Sequence, residues 1–184
     1  MSSRRNGSSC WLLAIALTCA AVLLILTARP YVIARWYGQD AHLEGAWLVA
    51  APLVGCDLRF AHMAGVDLRG ANLSQAYVDH IDLSHADLRR ANLSGVTFLI
   101  ADLTGADLRG AKLSGTTLWS SVLIDADLRE TDLTSVVFDL PNLAGADLRG
   151  SVLSKSGLNA YYDERTRWPE GFDPEAAGAQ RVSD

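Results

Sequence analysis

The sequence predicts an all-β solenoid: a right-handed quadrilateral parallel β-helix of about six coils over residues 41–160, preceded by one N-terminal transmembrane helix. Three observations predict it. Across residues 43–158 every fifth residue is Leu or a close substitute such as Met63, Val78, Phe98 or Phe138, 24 positions without interruption. The triplet Asp-Leu-Arg recurs at residues 67–69, 87–89, 107–109, 127–129 and 147–149, always 20 apart. Residues 10–28 carry no charge at all.

The period of five excludes the ordinary elements. On an α-helix five residues advance about 500°, so the leucines would point all round the axis. On a flat strand, side chains alternate with period two and successive leucines would face opposite ways. The conflict disappears if the chain turns a corner once per unit. The residue two before each Leu shares its side of the chain and is small, Ala in 13 units, so both fit an interior. The residue two after each Leu takes the bend, and it is Gly in 10 units, as a corner of unusual φ prefers.

The second period sets the number of sides. Twenty residues are four units, so equivalent sides stack once per coil, and no 15-residue echo suggests three. Coils spaced about 4.8 Å apart make a rod of roughly 29 Å, right-handed because parallel crossovers almost always are. Units such as Ala106-Asp107-Leu108-Arg109-Gly110 and Ala71-Asn72-Leu73-Ser74 resemble the pentapeptide-repeat family. The resemblance covers residues 41–160 and implies the right-handed quadrilateral β-helix. It is specific for fold, while function lives on the outer faces.

The rest of the chain divides around the rod. Residues 1–9 read as an N-terminal tail. Residues 10–28 would make a helix of about 28 Å, close to the roughly 30 Å hydrocarbon core of a bilayer. Trp11 before it and Tyr31, Trp36 and Tyr37 after it suit an aromatic belt. The run is longer than a signal-peptide core, and Leu26 spoils cleavage after Ala28, so an uncleaved anchor is favoured over a cleaved signal. Arg4 and Arg5 against Arg29 and Arg35 weakly favour a cytoplasmic N-terminus, with the β-helix on the extracytoplasmic side of a cell (inner) membrane. Residues 29–40 read as a linker or N-terminal cap. Residues 161–177 read as a C-terminal cap in which Tyr161, Trp168 and Phe172 shield the final leucines. Pro169, Gly171 and Pro174 make that cap a loop, and residues 178–184 read as a disordered tail.

Two outer surfaces stand out. Asp67, Asp87, Asp107, Asp127 and Asp147 run beside Arg69, Arg89, Arg109, Arg129 and Arg149, so each Arg reaches Asp on its own coil or the next. Such a charged ladder is foremost a solvated face. A second surface carries Leu99, Ile100, Trp119, Val137 and Leu140, with Val122 and Ile124 round the corner. A contiguous apolar patch marks contact with a protein partner, with a second copy, or with the chain's own C-terminal segment.

Chemistry is scarce. His42, His62, His80 and His85 have no ligand set around them at zinc-like spacing, so no metal is expected. No nucleophile elbow, phosphate loop or carboxylate pair in a cleft occurs, and a rod filled with Ala and Leu has no pocket. The expectation is a non-enzymatic, membrane-tethered scaffold without cofactors that presents a rigid face to protein partners. The alternative is a DNA mimic that protects or inhibits a type II topoisomerase, a role the family resemblance implies. The repeat region has 14 acidic and 9 basic residues, but the Arg column neutralises its most acidic face. Nucleic acid binding is not expected.

Overall fold

Between residues 40 and 182, the part of the chain that the computed structural model describes, backbone hydrogen bonds join residues about one coil apart. Leu43 N donates to His62 O at 2.7 Å, and His62 N donates back to Ala41 O at 2.8 Å. The same pattern repeats down the rod as parallel bridges, among them Trp47 with Asp67, Asp67 with Asp87 and Asp87 with Asp107. Coil one is residues 41–60, and coils two to six follow at 20-residue steps to residue 160. Side one starts at 41–45, side two at 46–50, side three at 51–55 and side four at 56–60, each with its 20-residue successors.

Corners follow from a tight turn. After each inward Leu the chain reverses, and the N–H three residues on donates to the Leu carbonyl, as Ala46 N does to Leu43 O at 3.0 Å. The Asp or Asn before the Leu steadies this turn: Asn72 Oδ1 accepts from Ser74 N and Asp82 Oδ1 from Ser84 N. That is why Asp and Asn recur at this position. The inward column is closed to solvent, with Leu68, Leu73, Leu83, Leu88 and Leu93 at 0% exposure and small Ala71, Ala91 and Ala106 packed between them.

Side four carries the regular strands. β1 (Thr97–Leu99), β2 (Thr117–Trp119), β3 (Val137–Asn142) and β4 (Leu158–Tyr162) form a parallel sheet, which β5 (Gln180–Arg181) extends beyond β4. β3 runs through its corner because Pro141 has no N–H to close the turn. Beyond this point the register slips by one, so that Asn142 faces Tyr161.

The slip lets the chain begin a seventh coil that the five-residue period does not reveal. Leu143 N donates to Tyr161 O and Leu148 N to Arg167 O, both at 2.7 Å, which places Tyr162 and Trp168 in line with Leu143 and Leu148. Tyr162 is buried; the sequence expectation had given that role to Tyr161. Tyr162 meets Trp168 edge-on at 5.4 Å, and Trp168 stacks on Phe172 at 5.5 Å, so aromatic rings plug this end. The expected loop contains a short helix, α1 (Pro174–Ala177), with Asp173 accepting from Ala176 N at its start. β5 lies within the stretch expected to be a disordered tail.

The fold-class expectation needs one correction. Among the described residues no helix is long and apolar enough to cross a membrane. The transmembrane helix expected over residues 10–28, with the tail before it and nearly all of the linker after it, lies outside the described residues. The fold is therefore stated as the β-helix alone. The membrane anchor and the membrane location inferred from it are withdrawn.

At the other end of the rod, Pro52 occupies a position whose equivalents, His62, Asp67 and Asn72, donate their N–H to the preceding coil. Proline has no N–H to give.

Candidate functional site

The charged ladder on side two is closed upon itself. Arg69 Nε and Nη2 reach both oxygens of Asp67 at 2.8 and 2.7 Å, and Arg89, Arg109, Arg129 and Arg149 repeat the fork on Asp87, Asp107, Asp127 and Asp147. The next coil is a secondary partner: Arg69 to Asp87 is 3.6 Å, Arg89 to Asp107 and Arg109 to Asp127 are 3.5 Å, and Arg129 to Asp147 is 3.9 Å. The Arg forks hold the Asp67, Asp87 and Asp147 carboxyls below the ordinary range. At Asp127 burial pushes upward and the Arg129 bonds outweigh it. Every Asp in this column is thus answered by an Arg two residues away, so the column presents no free run of either sign.

Side four is different. Ile100 is 53% exposed, Trp119 50%, Val137 54% and Leu140 39%, with Leu99 half-buried between them. Val122 and Ile124 lie round the corner on side one and are half-buried. The C-terminal segment covers the last coil and leaves Trp119 open, so it does not cover this patch.

The patch is longer than the sequence reading had it. Phe60 and Tyr77 are exposed on the same side in coils one and two, and Phe60 stacks on His80 with centroids 5.0 Å apart. His80 therefore belongs to side four. The missed signal was phase: residues 60, 80, 100, 120 and 140 form one column, which leads from side four to side one. Trp47, exposed at the head of the charged ladder, was also missed.

That column carries the most informative feature of the molecule. Phe60, His80, Ile100, Ser120 and Leu140 all have positive φ, from 48° to 62°, and no Gly occurs among them. Elsewhere this corner position is often Gly, as at Gly65, Gly95, Gly105 and Gly110. A left-handed conformation costs a side-chain-bearing residue roughly 1–2 kcal/mol, and a β-branched Ile at φ 53° is a genuine outlier. Bonds to the next coil hold it there, Ile100 N donating to Trp119 O at 2.9 Å and Phe60 N to Asp79 O at 2.9 Å. Seven other non-Gly residues hold the same conformation, Ala50, Gln75, His85, Arg90, Asp125 and Glu130 among them; this column differs in that Phe60, Ile100 and Leu140 are large, apolar and exposed.

The remaining candidates are thin. His42 and His62 stack at 4.7 Å, and His42 Nδ1 meets Glu44 at 3.1 Å. Among the described residues no group of three or more His, Cys, Asp or Glu could hold a metal. An open groove of about 550 Å³ near the last coil is lined by Asp125, Gly145, Asp147, Glu164, Arg165, Thr166 and Arg167. Its charges largely answer one another, Arg165 reaching Asp125 at 3.2 Å and Asp163 at 2.8 Å.

A four-sided β-helix of five-residue units defines a repeat protein of the solenoid class. The chain belongs to the pentapeptide-repeat family, whose model (Pentapeptide repeats) matches in 8 copies over residues 39–75, 67–98 and 101–139, more than half of the chain. It is similar to alr5209, a pentapeptide repeat protein from Nostoc PCC 7120, at 30% identity over 89% of this chain and 94% of that one, with a TM-score of 0.27. It is similar to HetL from the cyanobacterium Nostoc sp. strain PCC 7120, a pentapeptide repeat protein involved in heterocyst differentiation regulation. That match has 26% identity and a TM-score of 0.28, over 70% of this chain and 60% of HetL. QnrB1, a plasmid-mediated fluoroquinolone resistance protein, matches at 20% identity over 82% of this chain and 89% of that one, with a TM-score of 0.27. At these TM-scores the likenesses carry no argument about role. Among curated proteins none matches.

Proposed function

We propose that this chain is a non-enzymatic interaction module whose β-helix displays side four to a protein partner. The observation that carries this reading is the glycine-free corner. Phe60, Ile100 and Leu140 keep bulky apolar side chains in a strained conformation while 39–53% exposed, beside Trp119 and Val137. Such a band exceeds scattered apolar exposure and has the makings of an interface core, with aromatic anchors on a rigid sheet. The reading as a DNA mimic on a type II topoisomerase calls for an unbroken acidic stripe. The most acidic column instead alternates with five Arg.

The test is Trp119→Asp in the full-length chain, with the β-sheet signal in circular dichroism as the fold control. The fold is expected to persist, since Trp119 points outward, while partners cross-linked to the wild-type chain are lost. An unchanged set of cross-linked partners in a folded Trp119→Asp chain rejects side four as the working surface.

A further inference from the structure

We infer that the partner of side four is a second copy of this chain, packed antiparallel about a two-fold axis that crosses the third coil at Leu99 and Ile100. The inference rests on the reading of side four as a partner surface and names its occupant.

An isologous contact requires a surface to be complementary to itself. A two-fold axis in the plane of side four, perpendicular to the rod, sets each column of side chains against the same column of the other copy. With the axis at coil three, coil one meets coil five and coil two meets coil four. Phe60 then meets Leu140, Ile100 meets Ile100 and His80 meets Ser120, so the apolar members of the strained column bury against one another. Leu99 meets its own counterpart beside them.

The charges agree with this register. Among the described residues side four carries two acids with no Arg or Lys within 4 Å, Asp79, which still attracts Arg59 from the adjacent coil, and Asp139. On coil five the residue two before Asp139 on the same strand is Val137, and its cross-strand partners are Trp119 and Asn159, none of them basic; among the described residues its carboxylate accepts a hydrogen bond from Asn159 Nδ2 at 3.4 Å. In the second copy Arg59 stands opposite it. Arg59 uses Nε and Nη2 on Asp57, at 2.9 and 2.7 Å, and the guanidinium retains Nη1 donors for a second carboxylate. Asp79 falls opposite Trp119, not opposite another acid.

Neighbouring arrangements are worse. Moving the axis half a coil, to between coils three and four, sets Asp79 directly against Asp139, twice over. An axis along the rod, which makes the copies parallel, sets the apolar column against the partner's opposite corner, which carries Gly55, Gly95 and Gly115 and offers little to pack on.

The contact is small. Five coils span about 24 Å and one side is about 13 Å wide, which falls in the weak class of interfaces below roughly 1,200 Å². A reversible, concentration-dependent dimer is what that area supports.

The experiment uses two differently tagged copies of the full-length chain expressed together, with benzoylphenylalanine replacing Ile100 in one of them. Irradiation is expected to join the two tags through position 100. Reversing one charge in both copies, by Arg59→Asp or separately by Asp139→Arg, is expected to cut that product at least about fivefold. Combining the two reversals in each chain restores it. Arg59→Asp disturbs the pair with Asp57, whereas Asp139→Arg leaves that pair intact, so the second variant keeps the test valid if the first folds poorly. Undiminished product in the folded single reversals, or no rescue in the double, overturns the antiparallel register. An adduct with another protein and none with the second copy overturns the self-association while leaving the partner-surface reading intact. No adduct with any protein overturns both.

Discussion

Replacing Asp163 removes the acceptor from which the end of the rod hangs. Its Oδ1 takes hydrogen bonds from Gly145 N at 2.8 Å, Thr166 N at 3.0 Å, Thr166 Oγ1 at 3.0 Å and Arg165 N at 3.1 Å, while Oδ2 takes Arg165 Nε at 2.8 Å. The side chain is only 5% exposed. Burial alone would raise this carboxyl, yet the Gly145 N–H, the Thr166 hydroxyl and Arg165 lower it from 3.8 to about 2. A folded-state value depressed that far contributes roughly 2 kcal/mol. The contribution is complete above the ordinary value and is lost as pH falls through about 2. Asp163→Asn keeps an acceptor and loses the charge, so at neutral pH it should cost about 2 kcal/mol and near pH 2 almost nothing. Asp163→Ala also strands buried donors, at about 1–3 kcal/mol for each left unpaired, for a total near 3 kcal/mol after overlap. Because a solenoid frays coil by coil, the readout should be local. Hydrogen exchange at the Leu143 and Leu148 amides, which donate to Tyr161 and Arg167, reports this end directly. Their protection should drop about a hundredfold in Asp163→Ala, the equivalent of about 3 kcal/mol. Unchanged protection refutes the reasoning, as does an Asn deficit that persists undiminished near pH 2.

Two further outcomes follow from the same geometry. A Cβ at Gly145 would collide with the Asp125 carboxylate and lie 3.3 Å from the Arg165 guanidinium carbon, whereas at Gly95 it meets nothing within 4 Å. Both have positive φ, so Gly95→Ala should cost about 1 kcal/mol and Gly145→Ala measurably more in thermal denaturation; equal costs would sink the argument. The second outcome concerns the ladder. Asp67, Asp87 and Asp147 are depressed in the folded state, so their contribution is complete above the ordinary carboxylate range and is lost as pH falls through the depressed values. The melting temperature should change little from about pH 7 to about pH 5 and fall below about pH 4; a rise on acidification contradicts it.

The rod was legible because its two periods are backbone periods. Leu and Ala at fixed spacing report which residues point inward, and Asp-Leu-Arg at 20-residue spacing reports how many sides make a coil. Even the ladder was legible, since an Arg two residues after an Asp can reach little else. The seventh coil was not, because a single-residue slip after Pro141 puts Tyr162 out of phase with the five-residue count, although Trp168, 20 residues after Leu148, is back in step. Side four was half legible. Leu99 and Trp119 announced it, but Phe60, Tyr77 and His80 became part of it only when residues 20 apart were read as one column. The left-handed backbone of Ile100 and Leu140 leaves no mark in composition, since a corner is recognised in sequence by glycine and these corners have none. The spanning helix failed as an expectation for another reason: apolar length shows what a segment tolerates, and among the described residues no spanning helix is found.

In a β-helix each coil is a template for the next, so an end is where a filament could begin. Pro52 stands in the first coil at a position that would otherwise offer an N–H outward along the rod. A second rod arriving end-on would find that side unable to donate, and the ladder of bonds could not continue across the junction there. At the far end the aromatic plug and β5 occupy the corresponding place. A repeat that is easy to extend by gene duplication thus carries, at Pro52 and at β5, interruptions of the ladder on which end-to-end polymerisation would depend.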